Sequence, residues 1–302
     1  MEKSYIIVTM TKRFSRIYIE VTNICNLNCS FCPIDQRDSD VMPVENFSKI
    51  IAQSSPLANQ VCLHLMGEPL AHPRIDEILK LSAKENCPIQ ITTNGVLLSK
   101  HSELIFNSKI VRQVNISLQS YMDNYPNKDF SDYLTMIDTF IKTASKRRPD
   151  LYINLRLWNL DDQEGNKENN NENEKVFQFF ENSLQINIKR SVDVGGIKSK
   201  KIAPMLYLHF DSRFEWPRME LPLQGKVGRC NALKDHIAIH ADGTVVPCCL
   251  DDQKILKLGN CLDDGLENIL ESKMAKDMKI GFENHVLVEE LCQRCSYIKR
   301  FK

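Results

Sequence analysis

The sequence has no run approaching roughly eighteen apolar residues, so no transmembrane helix is predicted. Its opening stretch, MEKSYIIVTMTKRF, holds an apolar segment too short for the core of a signal peptide. An excess of charge is also missing. Lysine plus arginine and aspartate plus glutamate both total 39, so nothing draws the chain as a whole toward nucleic acid or anionic lipid. These absences predict a soluble, cytoplasmic protein without membrane contact, for which nucleic acid is a disfavoured partner. A paired cysteine framework is absent too. The eleven cysteines are an odd number, and without a signal peptide they argue for metal ligation over disulfides.

What is present, over 302 residues, is enough chain to bury a large core. Short apolar or alternating runs recur at RIYIEVT (16–22), QVCLHLM (60–66), PIQITTN (88–94), RQVNISLQ (112–119) and LYINLRLWN (151–159). Between them, VENFSKIIAQ (44–53), PRIDEILKLSAK (73–84) and FSDYLTMIDTFIKTA (130–144) space apolar residues three or four apart, as amphipathic helices do. Alternating strands and helices imply parallel pairing with right-handed crossovers. Along the strands Tyr18, Glu20, Thr22, His64, Met66, Gln90, Thr92, Asn94, Asn115, Ser117, Gln119, Asn154, Arg156 and Trp158 form one mostly polar face. Helices should cover the opposite, apolar face, leaving the polar one to line a wet or ligand-filled interior. The predicted fold class is α/β, an open or partial barrel, since a closed barrel fills its centre with branched apolar side chains.

DDQEGNKENNNENEK (161–175) is almost wholly polar and reads as a loop, either a solvated spacer or a substrate lid at the carboxyl end of a strand. A second region begins near Pro204 and holds Cys230, Cys248, Cys249, Cys261, Cys292 and Cys295. The predicted domains are therefore 1–204 and 205–302.

Directly after the first predicted strand, TNICNLNCSFCP spaces Cys25, Cys29 and Cys32 as CxxxCxxC. A strand running into a short loop can wrap three thiolates around one corner of a cubane and leave the fourth iron open, and an open coordination site is a catalytic one. The alternatives are a structural zinc knot, with His64 as a conceivable fourth ligand, or three unrelated cysteines. This loop resembles that of the radical SAM superfamily, which cleaves S-adenosylmethionine (SAM) to a 5′-deoxyadenosyl radical and abstracts hydrogen from a substrate. The resemblance implies a 4Fe-4S cluster on Cys25, Cys29 and Cys32 whose remaining iron is chelated by SAM, with Phe31 beside the adenine. MGEPLAHP (66–73) resembles the family's GGE segment, so Gly67, Glu68 and the adjoining Pro69 would face the methionyl ammonium, although Met66 replaces the first glycine. TTNG (92–95), with Asn94, and NISLQS (115–120), with Ser117, are similar to further SAM-binding segments. Arg156 would pair with the SAM carboxylate, or else belong to ordinary hydrogen bonding on the inner face. The barrel implied is a partial (β/α)6 TIM-type barrel.

Farther on, HIAIHADGTVVPCC reads as a hairpin with a DG turn that brings Cys230 and Cys248 together, and CxxC at Cys292 and Cys295 can complete a four-thiolate site. Zinc suits four thiolates as well. Cys249 could replace Cys248, and Cys261 reads as core. The arrangement resembles the SPASM domain in its shorter, twitch form, a small α+β unit with one auxiliary 4Fe-4S cluster. Nothing but SYIKRFK follows Cys295, so ligands for a second auxiliary cluster are not expected.

The family resemblance implies an oxygen-sensitive, oxidoreductase-like enzyme that takes electrons from a flavodoxin- or ferredoxin-type reductant. Three substrate classes follow from it: a peptide or protein, a small molecule that is oxidised, or RNA, the last disfavoured by the neutral charge. The short N-terminal arm leaves no room for a leader-binding domain, so a peptide substrate would need a separate recognition partner. Asp211, Arg213 and Trp216 are candidate substrate contacts, or part of a packed domain junction. An interaction protein carrying iron–sulfur or zinc without SAM chemistry is the non-enzymatic alternative.

Overall fold

The structure is a computed structural model, described here over residues 12–33, 36–160, 171–191, 198–213 and 215–300. Strands and helices alternate as β1 (Arg16–Ile19), α1 (Val44–Ser54), β2 (Val61–Cys62), α2 (Ile75–Lys84), β3 (Ile89–Thr93), α3 (Leu98–Asn107) and β4 (Val111–Ser117). After β4 come α4 (Leu118–Asn124), α5 (Ser131–Arg147), β5 (Tyr152–Leu160), α6 (Asn171–Leu184), β6 (Ser199–Ala203) and β7 (Leu206–Ser212). The remainder holds β8 (His236–Ile239), β9 (Thr244–Val246), β10 (Gly259–Asn260), α7 (Leu266–Leu270), α8 (Lys273–Glu283) and α9 (Glu290–Arg294).

One ten-stranded sheet runs β10-β9-β8-β1-β2-β3-β4-β5-β7-β6 among the described residues. Parallel pairing joins β1 through β5 in chain order and adds β7 beyond β5, which makes six successive parallel strands with helices over their apolar face. That is an α/β partial barrel: β6 closes one side as an antiparallel edge, and the sheet does not meet itself. The helices bury the faces their spacing demands, Phe47, Ile50 and Ile51 from α1, Ile75, Ile78 and Leu79 from α2, and Leu134, Ile137 and Ile141 from α5.

The sheet is strongly curled. In a flat sheet β1 and β5, four strand spacings apart, would lie roughly 19 Å from each other. Yet Arg156 of β5 is close enough to Tyr18 of β1 and Cys62 of β2 for their charges to act on it. The polar face is therefore the concave one.

The C-terminal part extends the same sheet. β8 pairs in parallel with β1 from Arg16↔His236 to Ile19↔Ile239, and β9 and β10 follow as an antiparallel ribbon. The β8–β9 turn is stapled by the Thr244 N–H, which donates to Asp242 at 3.0 Å. Two expectations change. Gln119 is on α4 instead of a strand, because the chain turns into a helix at Leu118. Residues 171–175, expected in a loop, open α6: Glu172 and Glu174 suit the positive end of a helix, and Asn173 is buried in a reciprocal amide pair with Asn159 at 3.0 and 3.1 Å. Residues 161–170 of that polar run lie outside the described residues. Among the described residues no helix is long and apolar enough to cross a membrane.

Candidate active site

The loop leaving β1 carries Cys25, Cys29 and Cys32, with Cys29 buried and the other two exposed. The three thiols face one another. A hydrogen bond from the Cys32 thiol lowers Cys29 to about 7, while Cys32 is pushed far up by that bond, by burial and by the charges of Cys29 and Cys25. Burial raises Cys25, partly offset by an N–H from Leu27.

Two neighbouring loops close on this one. Gly67, after β2, sits at φ +72°, and a Cβ there would stand 2.3 Å from the Thr22 carbonyl oxygen, so only glycine lets the 66–69 segment approach β1 this closely. The Glu68 N–H donates to the Ile24 carbonyl at 2.9 Å. The Glu68 side chain is almost fully buried and accepts from the N–H groups of Leu70 (3.1 Å) and Asn94 (2.7 Å). Burial still raises its pKa to about 7. Its carboxylate thus clasps the 66–71 and 92–95 loops together, and Pro69 is buried behind it. From the second of these loops Asn94 donates its amide to Asn26 at 2.8 Å and to the Cys25 sulfur at 3.8 Å.

A third support comes from α4. Asp123 accepts from the N–H and hydroxyl of Ser30 (2.6 and 2.5 Å), and Asn124 accepts from the Asn28 N–H (2.8 Å) while donating to the Cys29 sulfur (3.2 Å). The reading of the sequence did not single out these two residues. Ser117 precedes α4 without capping it through its side chain. Phe31, within the cysteine loop, is half-buried.

On the concave face itself, Glu20 is held by a forked ion pair with Arg37 (2.8 and 3.0 Å), the Met66 N–H (3.2 Å) and His240 (3.4 Å). Burial would raise this carboxyl, but the His240 and Arg37 contacts win and hold it at about 2. The network pins the ends of β1, β2 and β8 beside the cysteine loop. His64 does not join the thiols. It packs edge-on to Tyr18 with ring centroids 5.3 Å apart, burial lowers it to about 3, and its Nδ1 has no partner among the described residues. Arg156 stacks over Trp158 at 4.5 Å, and Trp158 donates to His209 at 2.8 Å. Of the expected mouth residues, Asp211 is buried between Lys198 and Arg300, Arg213 is exposed and Trp216 is half-buried.

Cys230, Cys248, Cys292 and Cys295 gather where the β8–β9 ribbon meets the C-terminal helices. Burial, together with the charges of Cys230, Cys248 and Cys295, pushes Cys292 well up. Burial and Cys248 raise Cys230 to about 12 and Cys295 to about 11. Backbone N–H groups two residues on point at these sulfurs, Ala232 at Cys230 and Leu250 at Cys248, both at 3.4 Å, and Tyr297 at Cys295. The adjacent Cys249 hydrogen-bonds to the Cys248 thiol and also packs against a small cluster with Leu65, Ala238, Val246 and Tyr18 on the concave side. Cys261 is buried in the main core.

Residues 19–164 match the radical SAM superfamily, and residues 230–296 match the SPASM iron–sulfur cluster-binding domain. The chain belongs to the radical SAM superfamily. Among curated radical SAM relatives, a GTP 3′,8-cyclase of Chlorobaculum tepidum is 34% identical over 37% of this chain and 36% of its own length. The tungsten-containing aldehyde ferredoxin oxidoreductase cofactor-modifying protein of Pyrococcus furiosus is 32% identical over 28% of this chain and 24% of its own. The matched region thus spans only about a third of the cyclase and less of the second protein. By fold, the chain resembles BtrN solved with AdoMet and 2-DOIA (TM-score 0.57, 14% identity, covering 95% of this chain and 94% of that one). It also resembles Streptococcus suis SuiB bound to S-adenosylmethionine (TM-score 0.61, 17% identity, covering 88% and 68%).

The cofactors of this radical SAM enzyme are 4Fe-4S clusters and SAM, and both cysteine sets have the donor chemistry for clusters. Burial and neighbouring thiols raise Cys32 and Cys292, whereas a cationic cluster wants them as thiolates. N–H groups already aim at Cys25, Cys29, Cys230, Cys248 and Cys295, which is how clusters are held and their potentials set. Because such supporting contacts are worth about 10–100-fold in metal affinity, an Asp123→Ala, Asn124→Ala variant is expected to lose iron from the Cys25 loop at least about tenfold more readily. Chelator-competition kinetics on anaerobic protein measure this, and wild-type retention would show that α4 does not support the cluster.

Proposed function

We propose that this enzyme uses a SAM-bound cluster on Cys25, Cys29 and Cys32 to remove a hydrogen atom from a small polar molecule held on the concave face of the barrel. The observation that carries the reading is the convergence of three loops: Asn94 donates toward Cys25, and Glu68 fastens the 66–71 and 92–95 loops against the cysteine loop. In this reading the backbone of 66–69 meets the methionyl ammonium, and Glu68 positions it through the loop clasp. Phe31 flanks the adenine, and Asn94 and Ser117 supply further polar contacts to SAM. When bound, SAM and the cluster supply a hydrogen-abstracting 5′-deoxyadenosyl group once an electron arrives from a flavodoxin- or ferredoxin-type donor. The chain's own share is to orient the substrate and exclude water and competing hydrogen donors.

Cys230, Cys248, Cys292 and Cys295 hold the auxiliary cluster, and as part of the same proposal the chain divides after β7, later than the expected 204, because Leu206–Ser212 pairs with β5 as a barrel strand. A small molecule is favoured over a peptide by the density of buried hydrogen-bonding side chains on the concave face, Gln90, Asn115 and Asn154 among them. The test is anaerobic. Protein reconstituted with iron and sulfide, reduced and mixed with SAM is expected to release 5′-deoxyadenosine slowly without substrate. Stoichiometric zinc without acid-labile sulfide in anaerobically purified protein, and no 5′-deoxyadenosine, would refute it.

A further inference from the structure

Two guanidinium groups, Arg16 on β1 and Arg156 on β5, face the concave side of the barrel, and neither has a carboxylate partner among the described residues. Arg16 bonds to Tyr18, and Arg156 stacks on Trp158 with its Nε unsatisfied. The carboxylates on the same face are already taken, Glu20 by Arg37 and Asp211 by Lys198 and Arg300. Burying a cation without a counter-charge is costly, and burial together with the like charge of Arg16 lowers Arg156 to about 10. The groups acting on Arg156 are Tyr18, Cys62, Arg16 and Cys249, whereas those acting on Cys25 are Leu27, Glu68, Cys29 and Asn94. The guanidinium pair therefore lies on the side where Cys249 of the C-terminal domain faces the barrel, with Arg156 beside its register partner Ser117. The oxygen of Asn154, also buried and unpartnered, is two residues along the same face.

We infer that Arg16 and Arg156 form the docking point for an anionic group of the substrate, a carboxylate or a phosphate. This inference rests on the reading of the concave face as the substrate chamber. An anion there neutralises both cations, takes the planar fork of Arg156, and fixes which carbon of the substrate is presented to the SAM end.

Cys249 provides a probe that does not depend on turnover. With both clusters loaded, seven cysteines are ligands and Cys62, Cys87 and Cys261 are buried, so Cys249 is the one remaining thiol with access to solvent. Anaerobic holoenzyme is treated in parallel with iodoacetate and with iodoacetamide, and Cys249 labelling is followed by mass spectrometry. Both reagents attack the same thiolate, so their rate ratio cancels its ionisation and reports the charge of the reagent. A chamber lined by cations concentrates anions at least about tenfold, so the ratio should favour iodoacetate by that factor over a free thiol in solution. In an Arg16→Gln, Arg156→Gln variant the preference should vanish. Competition on wild-type protein is independent of how that variant folds. Inorganic phosphate and acetate, each compared with chloride at equal ionic strength, should slow iodoacetate labelling, with stronger protection by phosphate indicating a phosphate group and by acetate a carboxylate. A wild-type ratio at or below that of a free thiol, as when the arginines only balance the charge of the auxiliary cluster, overturns the inference, as does protection by neither anion. Iodoacetate preference in a protein that never yields 5′-deoxyadenosine would refute the proposed reaction and leave the anion site standing.

Discussion

With Cys25, Cys29 and Cys32 all replaced by alanine, the reconstituted protein is expected to fall from about eight irons to about four and to release no detectable 5′-deoxyadenosine. The two effects have one cause, because the exposed loop after β1 supplies every thiol at the SAM end, and the nearest other candidate, His64, is turned toward Tyr18. Folding should survive. The loop's only buried cysteine is Cys29, and the clasp made by the Glu68 carboxylate and the backbone of Ile24, Glu68 and Asn94 uses no sulfur, so the barrel keeps these contacts when the sulfurs go. The four irons that remain should sit in the C-terminal quartet, whose backbone donors are untouched. Iron and sulfide assays with a 5′-deoxyadenosine assay read both outcomes. Retention of eight irons, or undiminished SAM cleavage, would mean that the chemistry is housed elsewhere.

Much of this site is legible in the sequence because its signals are local. The CxxxCxxC spacing lies within one loop, and the alternation along β1, β3, β4 and β5 separates the two faces of the sheet directly. What escapes is non-local. That β8 pairs in parallel with β1 follows from contact between residues more than two hundred positions apart, and no period or spacing encodes it. The support from Asp123 and Asn124 escapes for a related reason: NISLQS alternates like a strand through Gln119, so the turn into α4, which aims those side chains at the cysteine loop, is hidden. The six residues of 206–212 that pair with β5 resemble any short apolar stretch, and their place as the barrel's sixth parallel strand depends on the crossover through α6. The direction of Cys249 is likewise undetermined by spacing. Only the folded chain shows Cys248 packed against the main core while Cys249, bonded to it, also reaches the small cluster beside Tyr18.

Removing the C-terminal CxxC should have the opposite pattern of effects. A Cys292→Ala, Cys295→Ala variant is expected to lose about four irons yet keep 5′-deoxyadenosine formation within a few-fold of wild type. Cys292 and Cys295 lie on α9 and at its end, and the SAM-end contacts of Glu68, Asn94, Asp123 and Asn124 do not involve that segment. The stability cost is a separate matter. With a cluster bound, residues 230, 248, 292 and 295 become one covalent knot, and binding energy of that kind is also folding energy. Without it, the C-terminal segment keeps backbone bonds to 224–228, among them Gln224 N–H to the Gln293 carbonyl and Leu287 N–H to the Lys226 carbonyl, the bonds from Arg294 to the Leu221 carbonyl and from Arg300 to Asp211 and Ser212, and the packing of Leu287 and Leu291. The β8–β1 pairing and the buried core it belongs to remain, so the loss should be local, with a drop in melting temperature of about 5–10 °C and no collapse of the barrel. Calorimetry and hydrogen exchange on anaerobic protein separate these cases, with protection lost from 285–300 and retained in β1 and β8. Loss of SAM cleavage in a variant whose barrel amides stay protected would show that the auxiliary cluster serves the radical step itself, and an unchanged melting temperature would show that it contributes nothing to the scaffold.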